Sequence, residues 1–225
     1  GFEWGDDPHD LGIAQNLILA SGDTQTSEGE TPVFAAAKNG HSECLQHLAN
    51  FGADLNSPLL DGATPFYVAS QNGFLKCLKV LKAHHADPNA CMLDGTTPVY
   101  IAAQNGHKDC ISFLAENGAD VNRQDEAGAS PVFAAAAENH DECIECLRSH
   151  HADVNLCMTN VCSPLFISAQ MGFEKCMEQL ILLGADIDQA MEDGTAYGTS
   201  PLAIAVHAGH FSCTQALVQA GANVE

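Results

Sequence analysis

Basic side chains are scarce in this chain. Eight Lys and Arg stand against 29 Asp and Glu, for a formal net charge of -21 at pH 7. A field of that sign repels phosphate backbones and anionic lipid heads, which argues against nucleic acid as a partner. Long apolar runs are also missing. A bilayer-spanning helix needs roughly 20 apolar residues, and the most apolar early stretch, Leu11 to Ala20, is interrupted by Gln15 and Asn16. There is no Gly-rich phosphate loop, nucleophile elbow or metalloprotease helix motif, and the many Asp and Glu are scattered. No general acid and base pair stands out, and a solvated acidic surface accounts for these residues. What is present is apolar content of 46%, ample for a folded core in 225 residues.

The informative feature is a period. A Thr-Pro or Ser-Pro dipeptide opens segments at Thr31, Thr64, Thr97, Ser130, Ser163 and Ser200, four steps of 33 and one of 37. The last step carries four extra residues, between Gly194 and Thr199. In each segment the hydroxyl residue is suited to cap a helix whose first residue is Pro. Small residues such as Ala35, Ala36 and Ala37 then lead to Gly40, Gly73, Gly106, Gly172 or Gly209, and a second apolar-periodic helix ends near Gly52, Gly118, Gly184 or Gly221. At three such turns Gly is replaced, by His85, Asn139 and His151, residue types that tolerate positive φ. An Ala-Asp-x-Asn piece and an Asp-Gly or Ala-Gly turn complete the unit.

The string from Thr97 to Asn122, TPVYIAAQNGHKDCISFLAENGADVN, closely resembles the ankyrin repeat, and the motifs recur in register from Thr31 onward. The resemblance implies an all-α repeat solenoid with a helix-turn-helix and a β-hairpin per repeat. Residues 31–225 then hold six repeats, the last without its hairpin. Residues 1–30 form an N-terminal segment in which Pro8 to Ala20 read as a lone second helix, a half-repeat capping the stack. The chain starts at Gly1 rather than Met and stops just past a second helix, which reads as part of a longer protein.

Where the family places His after its opening T-P-L, this chain has Phe34, Tyr67, Tyr100, Phe133, Phe166 and Ala203. Core packing is the expected role of this column, with an exposed aromatic ladder as the alternative. Cys44, Cys77, Cys110, Cys143, Cys176 and Cys213 fall at the family's buried aliphatic position in the second helix, so they are expected to pack as small hydrophobes. Cys91 and Cys157 fall in the hairpins. Unpaired thiols suit a reducing compartment, cytosol or nucleus. Cys143, Cys146, His150 and His151 have a superficially zinc-like spacing, but His84 and His85 repeat the pair without a second Cys, so packing is the preferred account and no cofactor is expected.

The resemblance further implies a protein-binding scaffold or adaptor that meets its partner on the concave side. Alternatively, the repeats serve a multidomain protein (a membrane channel, a ubiquitin-ligase adaptor or a bacterial effector) whose activity lies elsewhere. By register the helix-one ridge is Lys38 and Asn39, Gln71 and Asn72, Gln104 and Asn105, Ala137 and Glu138, Gln170 and Met171, then His207 and Ala208. The hairpin tips carry Leu59, Leu60, Met92, Leu93, Met158 and Met191, either an exposed docking strip or side chains covered by neighbouring hairpins. A partner with apolar anchors and basic groups is expected. Finally, a Leu followed after a fixed gap by Asp-x-Asn, ending at Asn56, Asn89, Asn122 and Asn155, looks like the pattern that asparaginyl hydroxylases modify in this family. Hairpin hydrogen bonding is the alternative role of those Asn side chains.

Overall fold

Short first helices need help to form. Seven or eight residues are too few for an isolated helix in water, and here each is fixed at its start by the capping predicted from sequence. In a computed structural model, which describes residues 30–159, 161–191 and 198–224, the Thr31 Oγ1 accepts from Phe34 N at 3.1 Å. Thr64, Thr97, Ser130, Ser163 and Ser200 do the same for the residue three positions on. Pro fills the first turn of every one of these helices.

Twelve helices result among the described residues, in pairs: α1 (Pro32–Lys38) and α2 (Ser42–Asn50), α3 (Pro65–Gln71) and α4 (Leu75–Ala83), α5 (Pro98–Gln104) and α6 (Lys108–Glu116). They continue as α7 (Pro131–Ala137) and α8 (Asp141–Ser149), α9 (Pro164–Met171) and α10 (Glu174–Leu182), α11 (Pro201–Ala208) and α12 (Phe211–Ala220). First helices pack on first helices and second on second, giving two parallel rows with the core between them. The core is built from repeated columns. Leu45, Leu78, Ile111, Ile144 and Met177 are fully buried, as are Leu81, Leu114, Leu147, Leu180 and Leu217 one turn later.

His85, Asn139 and His151 adopt positive φ, 65°, 63° and 69°, as their place in the glycine columns predicts. At Gly73 the absence of a side chain serves a second purpose. A Cβ there would lie 2.7 Å from the His107 ring, which sits over the turn and bonds the Gln71 carbonyl through Nε2 at 3.0 Å. His210 does the same at Gln170.

The hairpins are tighter than the expected β-hairpins. Each of the first four is closed by one long-turn bond, from Leu59 N to Ala63 O, Met92 N to Thr96 O, Asp125 N to Ala129 O and Met158 N to Cys162 O. With so few residues there is no room for a second ladder pair, so no strand forms among the described residues, and only an isolated bridge joins Met191 and Thr199. Successive fingers are coupled by Leu93 N to Asp61 O, Glu126 N to Asp94 O and Thr159 N to Ala127 O, each at 3.0 Å.

A Cβ at Gly62, Gly95 or Gly128 would fall 2.9, 3.2 or 2.9 Å from the next finger's backbone nitrogen. The fourth finger carries Val161 in this column, at φ 62°. The finger after it is the one lengthened by four residues, with its closing pair at Met191 and Thr199 instead of four residues apart. A β-branched residue at positive φ is strained. Val161→Gly is expected to raise stability by about 1 kcal/mol after allowing for the greater freedom of Gly in the unfolded chain. A higher urea midpoint at constant slope checks this, and an unchanged or lower midpoint would show that the Val side chain contributes packing that offsets its strain.

Two sequence expectations need correction. Cys44 is exposed, unlike Cys77, Cys110, Cys143, Cys176 and Cys213, which are buried. Among the described residues nothing packs on the outer side of the first repeat, so the column's first member lacks a neighbour. Ala203 is likewise exposed whereas Phe34, Tyr67 and Phe166 are buried and Tyr100 and Phe133 are half-buried; it belongs to the last described repeat. The capping helix read at Pro8 to Ala20 lies outside the described residues.

Candidate functional site

The face made by the finger tips and the exposed ends of the first helices is where accessible chemistry accumulates. Its apolar part is narrower than the sequence suggested. Leu60 and Leu93 are 87% and 73% exposed, while Leu59 and Met92 turn inward against the core and are half-buried. Met158 and Met191 are also half-buried. The alternation follows from the turn, which points one residue of each Leu-Leu or Met-Leu pair toward the stack and the other outward. In the next two fingers the outward position holds Glu126 and Thr159, so the apolar pair ends there.

On the ridge, Lys38, Asn39, Gln71, Asn72, Asn105, Glu138, Gln170, Met171, His207 and Ala208 are exposed, and Gln104 and Ala137 half-buried. Their chemistry is less even-handed than a row of amides implies. Asn39, Asn72 and Asn105 each donate from Nδ2 to the carbonyl four residues back, at 2.8, 2.9 and 2.9 Å. One N–H of each is engaged in finishing its helix, which leaves the other N–H and the carbonyl oxygen facing outward. Val206, exposed beside this ridge, extends the apolar character of Met171; sequence reasoning passed it over because the family ridge is counted from the two residues before the turn.

Between ridge and fingers lies the aromatic column. Burial, followed by the charges of Asp125, Tyr67, Asp94 and Glu138, pushes the Tyr100 hydroxyl up to about 12. Tyr67 is raised mainly by burial, with Asp94 and Asp61 adding to it and a hydrogen bond to Thr96 opposing it. Carboxylates from two fingers and the ridge thus converge on the half-buried Tyr100 in the middle of the face. Most of the basic residues are elsewhere. Lys76, Lys79, Lys82, Lys108, Arg148 and Lys175 all lie on second helices, Lys38 pairs with Glu30 at 2.6 Å, and Arg123 Nη2 donates to Cys91 Sγ at 3.2 Å.

The four candidate metal ligands are not brought together. Cys143 is in the core, Cys146 Sγ donates to the Lys108 carbonyl at 3.7 Å, the His150 ring meets Ser112 Oγ at 3.3 Å, and His151 is an exposed turn residue. Among the described residues no group of three or more His, Cys, Asp or Glu is placed to hold a metal ion. Nor does the thiol chemistry resemble that of a nucleophile, which requires a lowered pKa. Burial raises Cys143 and Cys176 to about 12 and Cys77, Cys110 and Cys162 to about 11.

Asn56, Asn89, Asn122 and Asn155 form a ladder along the fingers' base. The local bonds expected of them are made instead by Asp54, Asp87, Asp120 and Asp153, each accepting from the backbone two residues on. The Asn side chains reach between repeats: their Oδ1 atoms accept from Asp87, Asp120, Asp153 and Asp186 N at 2.8 to 3.1 Å. Asn89 Nδ2 also donates to the Gly118 carbonyl at 2.9 Å.

The comparisons agree with this architecture. The sequence pattern described as "Ankyrin repeats (3 copies)" matches residues 8–91, 84–158 and 132–225. No curated protein sequence matches the chain. Among solved structures, the crystal structure of the human ASB11 ankyrin repeat domain is similar, with a TM-score of 0.78 and 26% identity over 87% of this chain and 86% of that one. No helix among the described residues is long and apolar enough to cross a membrane. Capped first helices, glycine-column turns, interlocked fingers and a family match running from residue 8 to residue 225 together place this chain in the ankyrin-repeat family.

Proposed function

We propose that this solenoid is a protein-binding scaffold whose finger-and-first-helix face docks a basic partner segment bearing apolar anchors. The observation that carries the reading is the scarcity of basic side chains on that face. Six of the eight basic residues lie on second helices, while Asp94, Asp125 and Glu138 act on Tyr100, and Asp61, Asp94 and Glu126 stand in the same row of finger tips as the exposed Leu60 and Leu93. Apolar side chains at a protein surface supply affinity when a partner covers them, and the surrounding carboxylates steer a cationic segment and set its register. The carbonyl oxygens of the ridge amides accept hydrogen bonds from the partner's Lys, Arg or backbone N–H. Ten free thiols fit action in a reducing compartment, cytosol or nucleus, and the acidic field disfavours nucleic acid. Where the chain forms part of a larger protein, the same face recruits the target on which another domain acts.

The test uses outward side chains whose loss leaves the fold intact. A partner captured by the unaltered chain and then purified is expected to bind Leu60→Ser/Leu93→Ser about 10- to 100-fold more weakly. Glu126→Lys/Glu138→Lys is expected to weaken it about tenfold and to flatten its salt dependence. Unchanged dissociation constants in both variants would contradict the reading. Leu59 and Met92 are left untouched because they pack on the core.

A further inference from the structure

The finger-and-first-helix face changes character along its length, one repeat at a time. Two columns of exposed side chains run down it, each with a step of 33 residues. The outward fingertip position holds Leu60, Leu93 and then Glu126, and the ridge position holds Asn72, Asn105, Glu138 and then Met171. The fingertips are thus apolar beside α3 and α5, both columns carry a carboxylate at α7, and the ridge turns apolar at the end of α9. A diagonal path down the face reads apolar, apolar, acidic, apolar, with one contact per repeat.

We infer that the partner's docking segment is a polyproline II strand that lays one side chain on each repeat, apolar at its first, fourth and tenth residues and basic at its seventh. The inference rests on the docking reading and adds the segment's conformation and register. First helices here pack on one another in a row, and packed helices stand roughly 8–10 Å apart. Polyproline II has three residues per turn and rises about 3.1 Å per residue, so every third side chain returns to the same side after about 9 Å. A β-strand cannot keep that register on one face, because its side chains alternate with a period of two. An α-helix keeps it at every seventh residue, two turns rising about 11 Å, but its backbone groups are bonded to one another. The ridge favours an open backbone. Asn72 and Asn105 each hold a helix end with one N–H and keep the second N–H and the carbonyl oxygen for a partner. A polyproline II backbone makes no internal hydrogen bonds, so its N–H and C=O groups are available to those amides. Glu126 and Glu138 then receive the basic side chain, and Leu60, Leu93 and Met171 receive the apolar ones.

The test is fluorescence anisotropy with the unaltered chain and a labelled peptide, Leu-Pro-Ser-Leu-Pro-Ser-Arg-Pro-Ser-Leu, made in both chain directions. Control peptides, padded with Pro and Ser, carry the same Leu and Arg residues at every second and every fourth position, and an Ala-rich helical peptide carries them at every seventh. One direction of the spacing-three peptide is expected to bind at least about tenfold more tightly than every control. Met171→Ser is expected to weaken it about fivefold, and to have no effect on a peptide whose Leu beyond the Arg is replaced by Ser, which pairs that Leu with Met171. Equal binding of the control spacings, no binding of either spacing-three peptide, or tighter binding of the helical peptide would overturn the inference. If the purified partner still loses affinity for Leu60→Ser/Leu93→Ser while peptide spacing makes no difference, the docking reading stands and the polyproline II segment is wrong.

Discussion

Raising the pH from 8 to 10 is expected to lower this protein's stability by roughly 5 kcal/mol. Five buried thiols carry the effect. Cys77, Cys110 and Cys162 titrate at about 11 and Cys143 and Cys176 at about 12 in the folded chain, against 9.0 for an ordinary thiol. Below pH 9 both folded and unfolded states hold these protons and nothing is lost. Between pH 9 and the folded values the unfolded chain releases them while the folded chain retains them, so the unfolded state binds fewer protons and stability falls as pH rises. Each thiol contributes about 1 kcal/mol by pH 10, for a sum of roughly 5 kcal/mol, comparable to the whole stability of a small domain. The acidic net charge works in the same direction through self-repulsion, and that part is screened by salt. Thermal melts at pH 8 and 10 in high salt therefore suppress the self-repulsion and leave the buried thiols, with a smaller share from the raised Tyr100 and Tyr67. A melting temperature that does not fall would mean that the cysteine column is not buried as described, and Cys143→Ala/Cys176→Ala should make the pH dependence shallower.

The second large effect concerns the middle of the stack. Leu114 in α6 is fully buried, and α6 lies between α4 and α8 in the second-helix row. Leu114→Ala removes about 3 kcal/mol through lost burial and the cavity left behind. In a linear array that loss falls on one repeat and both of its interfaces, so the consequence is uneven. About three neighbouring repeats are needed for independent stability. Loosening the third leaves two on one side and three on the other. Urea unfolding is thus expected to split into two transitions, with amide protection lost first over α1 to α6 and retained longer over α7 to α12. A single cooperative transition shifted to lower urea would show that the six repeats behave as one indivisible unit.

Much of this fold was legible because the repeat states each rule six times. Thr31 and its five counterparts, each followed by Pro, announced the first helices, and the capping bonds sit where that spacing put them. His85, Asn139 and His151 fell in glycine columns and took up glycine's backbone conformation. What escaped the reading depended on neighbours. Cys44 carries the same residue type as its column yet is exposed, because exposure is set by what stacks beside it. Val161 occupies a glycine column as plainly as His85 does, and comparing columns could have found it; that adjacent fingers touch through backbone at that column could not be read from sequence. Leu59 and Leu60 look equivalent in sequence, but one residue of turn geometry sends the first into the core and the second outward. The acidic surround around Tyr100 was invisible as a site, since its carboxylates come from two fingers and a helix end separated along the chain.

The most direct test of the docking face is site-specific photo-cross-linking. A photoreactive amino acid is placed in turn at Leu93 and Asn105 on the finger-and-first-helix face, and at Lys79 and Glu145 on second helices, all four exposed. The partner is expected to be captured from positions 93 and 105 and not from 79 or 145. Capture from 79 or 145, with none from 93 and 105, would place the interface on the second-helix row and contradict the account.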